Sequence, residues 1–63
     1  NLMKVLNEMD QKYKDILVLK FLEEKSYKEI ADIIQKPMGT IATLVNRAKK
    51  QFIKKMEVHN IQL

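Results

Sequence analysis

The scarcity of residues that break regular backbone structure is the feature that most constrains this chain. One proline, Pro37, and one glycine, Gly39, occur in 63 residues, and they lie two positions apart. A protein built of strands joined by tight turns would need more of both residue types. No segment alternates apolar and polar residues for long enough to predict a strand. The chain is therefore expected to be all-α, with its sharpest break next to Pro37.

Composition sets the broad class of protein. Hydrophobic residues make up 46% and charged residues 32%, a mixture typical of a globular domain rather than a disordered chain. No apolar run approaches the roughly 18 residues of a membrane span, and the first residues do not form a signal peptide. We therefore expect a cytoplasmic location and no membrane partner. We interpret residues 1–63 as one domain, cut from a longer protein because it starts without methionine.

The reactive side chains argue against several classes of function. The chain has no cysteine and one histidine, His59, so disulfides, thiolate metal sites and paired-histidine sites are not expected. His59 itself is expected to be a solvated residue of the tail. No nucleophile paired with a base and no phosphate-binding loop is found. We therefore expect no catalytic residues, no cofactor and no metal, and an enzyme is the least compatible class.

Apolar spacing predicts a pair of helices in the first third of the chain. The first runs from Leu2 to about Glu8, and the second begins after the N-cap Asp10 and ends near Leu22 or Glu23. The inward residues of the first helix are Leu2, Val5, Leu6 and Met9. Six apolar residues cover most of the circumference of the second, so it is either central in the fold or presents a spare apolar face to a partner. They are Ile16, Leu17, Val18, Leu19, Phe21 and Leu22. A small domain favours the central position, and the partner interpretation stays open.

Two further helices are marked by a capping box and by the proline. Ser26 and Glu29 form the capping box, so the third helix is expected to start at Tyr27 and to end about Gln35. Pro37 suits the first turn of a fourth helix about 18 residues long. The residues expected to face the core are Ile30, Ala31, Ile33 and Ile34 on the third helix, then Ile41, Leu44, Val45, Ala48, Phe52 and Met56 on the fourth.

The charge is distributed unevenly along the chain. Residues 1–35 carry six lysines against seven acidic residues, a net charge of −1. Residues 36–63 carry five lysines and Arg47 against Glu57 alone, a net charge of +5. A neutral half followed by a basic half indicates that one face meets a polyanion. A solvated basic helix is the alternative from charge alone.

The third and fourth helices form a candidate helix-turn-helix, in which the second helix of the motif enters the major groove of DNA. With its apolar stripe turned inward, the fourth helix presents polar and basic side chains outward. These are Thr43, Asn46, Arg47, Lys50 and Lys54. Asparagine pairs with adenine, arginine with guanine or phosphate, and a threonine methyl meets the thymine methyl, while the lysines suit phosphates. The absence of acidic residues before Glu57 favours DNA over a merely solvated helix.

Gly39 lies within the first turns of the predicted fourth helix, where glycine costs up to ~1 kcal/mol relative to alanine. Close approach of another backbone explains such a glycine. That backbone is either a packed helix or a phosphate meeting the N-terminal N–H groups. A tolerated weak position is the alternative.

Three segments together resemble region 4 of bacterial sigma-70 family sigma factors, most closely the extracytoplasmic-function group. They are SYKEIADII at residues 26–34, KPMGTI at residues 36–41 and NRAKK at residues 46–50. The family has a SYxEIA helix, then PxGTV, then RA followed by Arg or Lys. Residues 13–22 also resemble the helix that precedes the motif in the family. The resemblance covers roughly residues 8–56.

The resemblance implies a small four-helix helix-turn-helix domain without a wing. Such a domain binds the promoter −35 element of double-stranded DNA, as part of a sigma factor directing transcription initiation by bacterial RNA polymerase. It also packs against the β flap of the polymerase core, which offers a use for apolar surface at Val18, Phe21 and Leu22, and an anti-sigma factor can mask it. The expected DNA-contacting residues are Lys36, Gly39, Thr40, Ala42, Thr43, Asn46, Arg47, Lys50 and Lys54.

Three positions depart from the family pattern. Ala42 and Leu44 stand where the family usually has Lys or Arg, so weaker DNA binding or an altered −35 sequence is expected. Gln35 stands where the family often has glycine. Because a left-handed conformation is mildly strained for glutamine, we expect a reshaped turn there.

Three hypotheses therefore stand. The first is a promoter-binding sigma domain without catalytic activity. The second is a protein-interaction module of the same fold, binding the β flap or an anti-sigma factor after losing DNA recognition. The third is a different helix-turn-helix regulator, such as the output domain of a response regulator.

Overall fold

The computed structural model describes residues 2–59, and most of that part of the chain is helical. Its elements are α1 (Leu2–Glu8), α2 (Gln11–Leu17), a π-helical segment (Val18–Leu22), α3 (Tyr27–Ile34) and α4 (Met38–Val58). No strand occurs within residues 2–59, so the prediction of an all-α domain with four helices is confirmed. None of the described helices combines the length and the apolarity needed to cross a membrane.

The second predicted helix changes its winding halfway along. Asp10 is the N-cap residue of α2 as predicted, but its side chain makes no capping hydrogen bond. From Val18 onward the backbone follows a π-helix, and the Glu23 N–H donates to the Val18 carbonyl at 2.9 Å, five residues back. The prediction of one continuous α-helix to about residue 22 was therefore wrong for its last five residues. The wider turn accompanies a change of environment, because Ile16 and Leu17 are buried whereas the π-helical segment has no buried residue.

The capping box at the start of α3 is present. The Glu29 N–H donates to Ser26 Oγ at 3.1 Å, and the Ser26 N–H donates to Glu29 Oε1 at 2.8 Å. The hydrogen bond from the Ser26 backbone is the main cause that holds the pKa of Glu29 below its ordinary value of 4.5, and the Ser26 side chain adds to it. Both partners of the predicted pair are satisfied, so α3 begins where the sequence indicated.

Gln35 ends α3 in the left-handed conformation, with φ 62° and ψ 52°. The N–H groups of Gln35 and Lys36 both donate to the Ala31 carbonyl, at 2.8 and 3.1 Å. The expectation of a reshaped turn was therefore wrong: glutamine adopts the strained conformation, and the two hydrogen bonds hold it there.

One predicted core residue of α3 lies outside the core. Ile30 and Ala31 are buried, but Ile33 is 55% exposed. An eight-residue helix packs along one narrow side, and Ile33 lies at the edge of that side. Leu2, predicted to face inward from α1, is also exposed.

Helix α4 begins one residue later than predicted and is 21 residues long, compared with the expected length of about 18. Pro37 is its N-cap, with φ −61° and ψ 151°, rather than a residue of the first turn. Its carbonyl still accepts the Ile41 N–H at 3.1 Å. The predicted apolar stripe is confirmed, since Leu44 and Phe52 pack against the core and the other four members are buried. Those four are Ile41, Val45, Ala48 and Met56.

All four helices contribute to the core. The most deeply buried large side chains come from α1, α2, α3 and α4 in turn. They are Val5, Ile16, Ile30, Ile41 and Val45. Since α4 supplies two of them and packs against each of the other three helices, its orientation is fixed by the whole domain.

His59 closes the fold from the far end of α4. Its Nε2 lies 3.0 Å from Glu8 Oε1 at the end of α1, in an exposed hydrogen bond. The hydrogen bond from His59 is the main cause that holds the pKa of Glu8 below its ordinary value of 4.5. The prediction of a solvated tail residue was wrong, because His59 caps α4 and reaches back to α1.

Candidate nucleic-acid interface

The helix-turn-helix is formed by α3, α4 and the three residues between them. The two helices pack together through Ile30, Ala31 and the inner stripe of α4. Because α4 is buried along one side, its opposite side is available to a ligand. We call this opposite side the outer face of α4 and define it by six exposed residues. They are Gly39, Thr43, Asn46, Arg47, Lys50 and Lys54.

Helix geometry brings these six residues together. At ~100° per residue, they lie between about 140° and 240° from Ile41, which is fully buried. The face follows from two local facts: a continuous α-helix over Met38–Val58 and one apolar stripe along it. The structure therefore gathers six of the nine predicted DNA-contacting residues on one surface.

The other three predicted residues lie beside the outer face. Lys36 is exposed in the turn, and Thr40 is exposed on the flank of α4 that faces the end of α3. Ala42 is half-buried on the opposite flank, about 100° from Ile41. Ala42 therefore does not share the surface of the other members, whereas Lys36 and Thr40 extend it toward the turn.

The outer face of α4 carries three cations. Within residues 2–59, Arg47, Lys50 and Lys54 form no ion pair and no side-chain hydrogen bond. Within that part of the chain no ion pair neutralises these charges, so they stay available for an anionic ligand.

Lys49 is a cation that behaves differently. It lies on the flank of α4, and its Nζ is 6.0 Å from the centre of the Phe21 ring. This distance is the outer limit of a cation–π contact. Lys49 therefore links α4 to the π-helical segment instead of joining the outer face.

Gly39 is surrounded by open space. A Cβ built on it would meet nothing within 4 Å, and its φ is not positive. One explanation for this glycine was a helix packed closely against it, and within the described chain that explanation is wrong. Approach of a ligand backbone, or a tolerated weak position, remains.

Thr43 is the one outer-face residue with a side-chain hydrogen bond within the described chain. Its Oγ1 donates to the Gly39 carbonyl, one turn earlier, at 3.1 Å. The bond uses the hydroxyl proton, so the hydroxyl is not free to donate to a base.

A second surface lies on the π-helical segment. Phe21 is 51% exposed and Leu22 is 64% exposed, whereas Val18 is half-buried. Val18 also lines an open apolar groove together with Ile33 and Leu44, between the π-helical segment, α3 and α4. Sequence reasoning assigned no surface role to Ile33 and Leu44, because it placed both in the core.

Residues 2–59 bring no group of three or more histidine, cysteine or acidic side chains into a cluster able to hold a metal ion. The described chain also has no buried side-chain polar atom without a hydrogen-bond partner. The polar chemistry of the described chain is therefore concentrated on exposed surfaces, and the outer face of α4 is the most basic of them.

Comparison with known proteins agrees with this geometry. The family model for sigma-70, region 4, matches residues 1–52. The chain is similar to the ECF RNA polymerase sigma factor SigW of Bacillus subtilis (strain 168), at 33% identity over 49 residues. That alignment covers 78% of this chain and 26% of the relative, so the chain spans about a quarter of the relative's length. No solved structure gives a significant match.

The family matched is that of sigma factors rather than that of response regulators, and this favours the first hypothesis over the third. The match also supports a DNA-binding role in a sigma factor for the helix-turn-helix. The chain belongs to the sigma-70 region 4 family and resembles its extracytoplasmic-function members.

Proposed function

We propose that this domain binds the promoter −35 element of double-stranded DNA and thereby helps a sigma factor direct transcription initiation by bacterial RNA polymerase. The observation that carries the proposal is the outer face of α4, where cations without an ion pair in residues 2–59 and side chains able to pair with bases share one exposed surface. Its activity is binding, without catalysis. Because bacterial promoters lie in the cytoplasm, a cytoplasmic location is part of the proposal.

The side chains divide by the chemistry that each offers. Asn46 suits the paired donor and acceptor of adenine, and Arg47 suits the two acceptors of guanine. Lys50 and Lys54 follow one and two turns after Asn46, where the helix leaves the groove and meets phosphates. Lys36, at the turn, lies at the opposite end of the same surface.

Leu44 and Ala42, both half-buried, reduce the number of cations available to phosphates. Both stand where the family usually has cations, so two phosphate contacts are missing from the interface. Leu44 packs against the core and lines the apolar groove, so a lysine there would change the groove as well as the charge. We therefore expect the isolated domain to bind DNA weakly and to depend strongly on salt.

The salt dependence tests the proposal. Four cations neutralise phosphate charge in this scheme: Lys36, Lys50 and Lys54 by contact, and Arg47 from within the groove. The logarithm of the binding constant is then expected to fall against the logarithm of salt concentration with a slope near −3.6, about 0.9 for each cation. Fluorescence anisotropy on a duplex selected from random DNA measures it. Binding that is unchanged between low and moderate salt would contradict the proposal.

A charge-matched pair of variants controls that measurement. Lys50→Ala is expected to reduce the slope by about 0.9. Lys14→Ala removes the same charge from α2, where Lys14 Nζ donates to Asn7 Oδ1 at 2.8 Å. An equal change of slope in both variants would mean that net charge, rather than the outer face, governs binding.

The exposed apolar residues support a second function, docking on the β flap of RNA polymerase or on an anti-sigma factor. Phe21 and Leu22 are more than half exposed, and the neighbouring Val18 lines the apolar groove. Because each side chain is only partly exposed, burying it against a partner would contribute roughly 1–2 kcal/mol.

Removal of these side chains tests the second function. Phe21→Ala with Leu22→Ala is expected to weaken capture of the purified β flap while leaving DNA binding within twofold. Ile53→Ala, at an apolar residue of α4 that is 55% exposed, is the control and is expected to change neither. Retained flap binding by the double variant would contradict this function.

A further inference from the structure

The hydrogen bond between Thr43 and Gly39 determines which group Thr43 can offer to DNA. Thr43 lies at the centre of the outer face, about 200° from Ile41. Its Oγ1 donates to the Gly39 carbonyl at 3.1 Å, the local bond that threonine commonly makes to the residue four positions before it in a helix. The hydroxyl could donate to a base only by breaking this bond.

The same bond restricts the rotation of the side chain. Threonine is branched at Cβ, so fixing Oγ1 also fixes the position of the methyl group. Side chains of a helix lean toward its N-terminus, so the Thr43 side chain covers the surface beside Gly39. Gly39 has no side chain to shield that surface, and the space around its Cβ position is open. The hydroxyl oxygen can still accept a hydrogen bond, but its proton is engaged, so the methyl group is the part of exposed Thr43 that suits an apolar contact.

One apolar group is available on base edges in the major groove, the C5 methyl of thymine. We propose that Thr43 is a specificity-determining residue that recognises a thymine through methyl–methyl contact, with the Gly39 carbonyl holding its hydroxyl away from the bases. This inference rests on the proposed DNA-binding function and adds the kind of base that one position reads. Asn46 and Arg47 differ from Thr43, because their side-chain donors make no hydrogen bond within residues 2–59 and suit hydrogen-bonded recognition.

The test removes the methyl group of thymine from the DNA and, separately, the methyl group or the hydroxyl of Thr43 from the protein. Duplex DNA selected by the chain is prepared with each thymine replaced in turn by uracil, which lacks the methyl. Binding is measured for the wild type, for Thr43→Ser, which keeps the hydroxyl, and for Thr43→Val, which keeps the methyl. Circular dichroism melting verifies that both variants fold, as expected for an exposed position.

We expect one uracil replacement to weaken wild-type binding about three- to fivefold, the loss that corresponds to one buried methyl group. Thr43→Ser is expected to lose a similar factor and to become insensitive to that same replacement. Thr43→Val, which keeps the methyl group, is expected to bind more tightly than Thr43→Ser and to keep the sensitivity to that replacement.

Other outcomes overturn the inference. Wild-type affinity for Thr43→Ser, or a large loss for Thr43→Val alone, would assign recognition to the hydroxyl. Full sensitivity to uracil in Thr43→Ser would assign thymine recognition to another residue. In these cases the wild type still binds DNA, so the proposed function survives. A wild type that binds no duplex with sequence preference overturns both.

Discussion

The inner and outer faces of α4 are made from one run of 21 residues and have opposite properties. The inner face is apolar and buried, and its members contact residues of the other helices. The outer face is polar and basic, and its one side-chain hydrogen bond within the described chain joins Thr43 to Gly39. We therefore expect stability to depend on the inner face and the proposed DNA binding on the outer face, so that changes on each face have separate effects.

The largest expected effect is on the inner face. Ile41→Ala removes a fully buried side chain that contacts the core, and it is expected to lower the free energy of unfolding by about 2–5 kcal/mol. In a domain of this size that loss is a large part of the total stability. Urea denaturation measures it. The control is Ile53→Ala on the same helix, expected to cost about 0.5 kcal/mol or less. Equal losses would mean that the two sides of α4 do not differ.

Arg47→Ala is the corresponding change on the outer face. If Arg47 reads a base, affinity for the selected duplex is expected to fall by about 1–3 kcal/mol, with thermal stability nearly unchanged. Lys49→Ala, which removes a cation from the flank, is the control and is expected to have a smaller effect. An equal loss on every DNA sequence would instead make Arg47 a backbone contact.

Ser26→Ala tests whether a change at the start of α3 alters stability without altering DNA binding. It removes the hydroxyl that accepts the Glu29 N–H, and is expected to cost about 1 kcal/mol of stability. DNA affinity measured well below the melting temperature is expected to stay within twofold. A large loss of affinity from the folded variant would show that the start of α3 also contacts DNA.

Gly39→Ala is expected to have effects of opposite sign on stability and binding. Alanine touches nothing in the described chain, so the variant is expected to gain roughly 0.5 kcal/mol of stability. If DNA approaches this backbone closely, the added methyl group weakens binding several-fold. Calorimetry and anisotropy on the same sample measure both. Unchanged affinity would leave Gly39 as a tolerated weak position.

The smallest expected effect concerns the contact between the ends of α1 and α4. The hydrogen bond from His59 holds the pKa of Glu8 below 4.5, so near that pH the folded chain binds fewer protons than the unfolded chain. Its contribution is present above pH 4.5 and is lost as the pH falls through the lowered pKa. Glu8→Gln is therefore expected to reduce the loss of thermal stability between pH 5 and pH 3. Glu24→Gln is the control, and an equal change there would contradict this role.

Local signals in the sequence predicted the parts of the fold that are held by local contacts. The capping box joins residues three positions apart, and the apolar stripe of α4 repeats at the helical period, so both are visible in sequence. The shared surface of Asn46, Arg47 and Lys50 follows from that same period. Whether these residues read bases is a separate prediction, and it awaits the experiments above.

The features that sequence reasoning missed leave no periodic or short-range pattern in the sequence. A period of ~100° cannot distinguish an α-helix from a π-helix that starts at Val18, because the difference is a hydrogen bond shifted by one residue. The exposure of Ile33 depends on where α4 lies. The pairing of His59 with Glu8 spans 51 positions and has no local signature.

That long-range pairing also bears on the order in which the domain assembles. The capping box closes over three positions, whereas the bond between Glu8 and His59 requires nearly the whole domain to be in place. The entropy lost on closing a loop grows with its length and precedes the contacts that repay it. We therefore expect the docking of α1 on the end of α4 to be among the last steps of folding. In the native state the same junction is expected to open first, leaving α3 and α4 paired while α1 exchanges its amide protons with water.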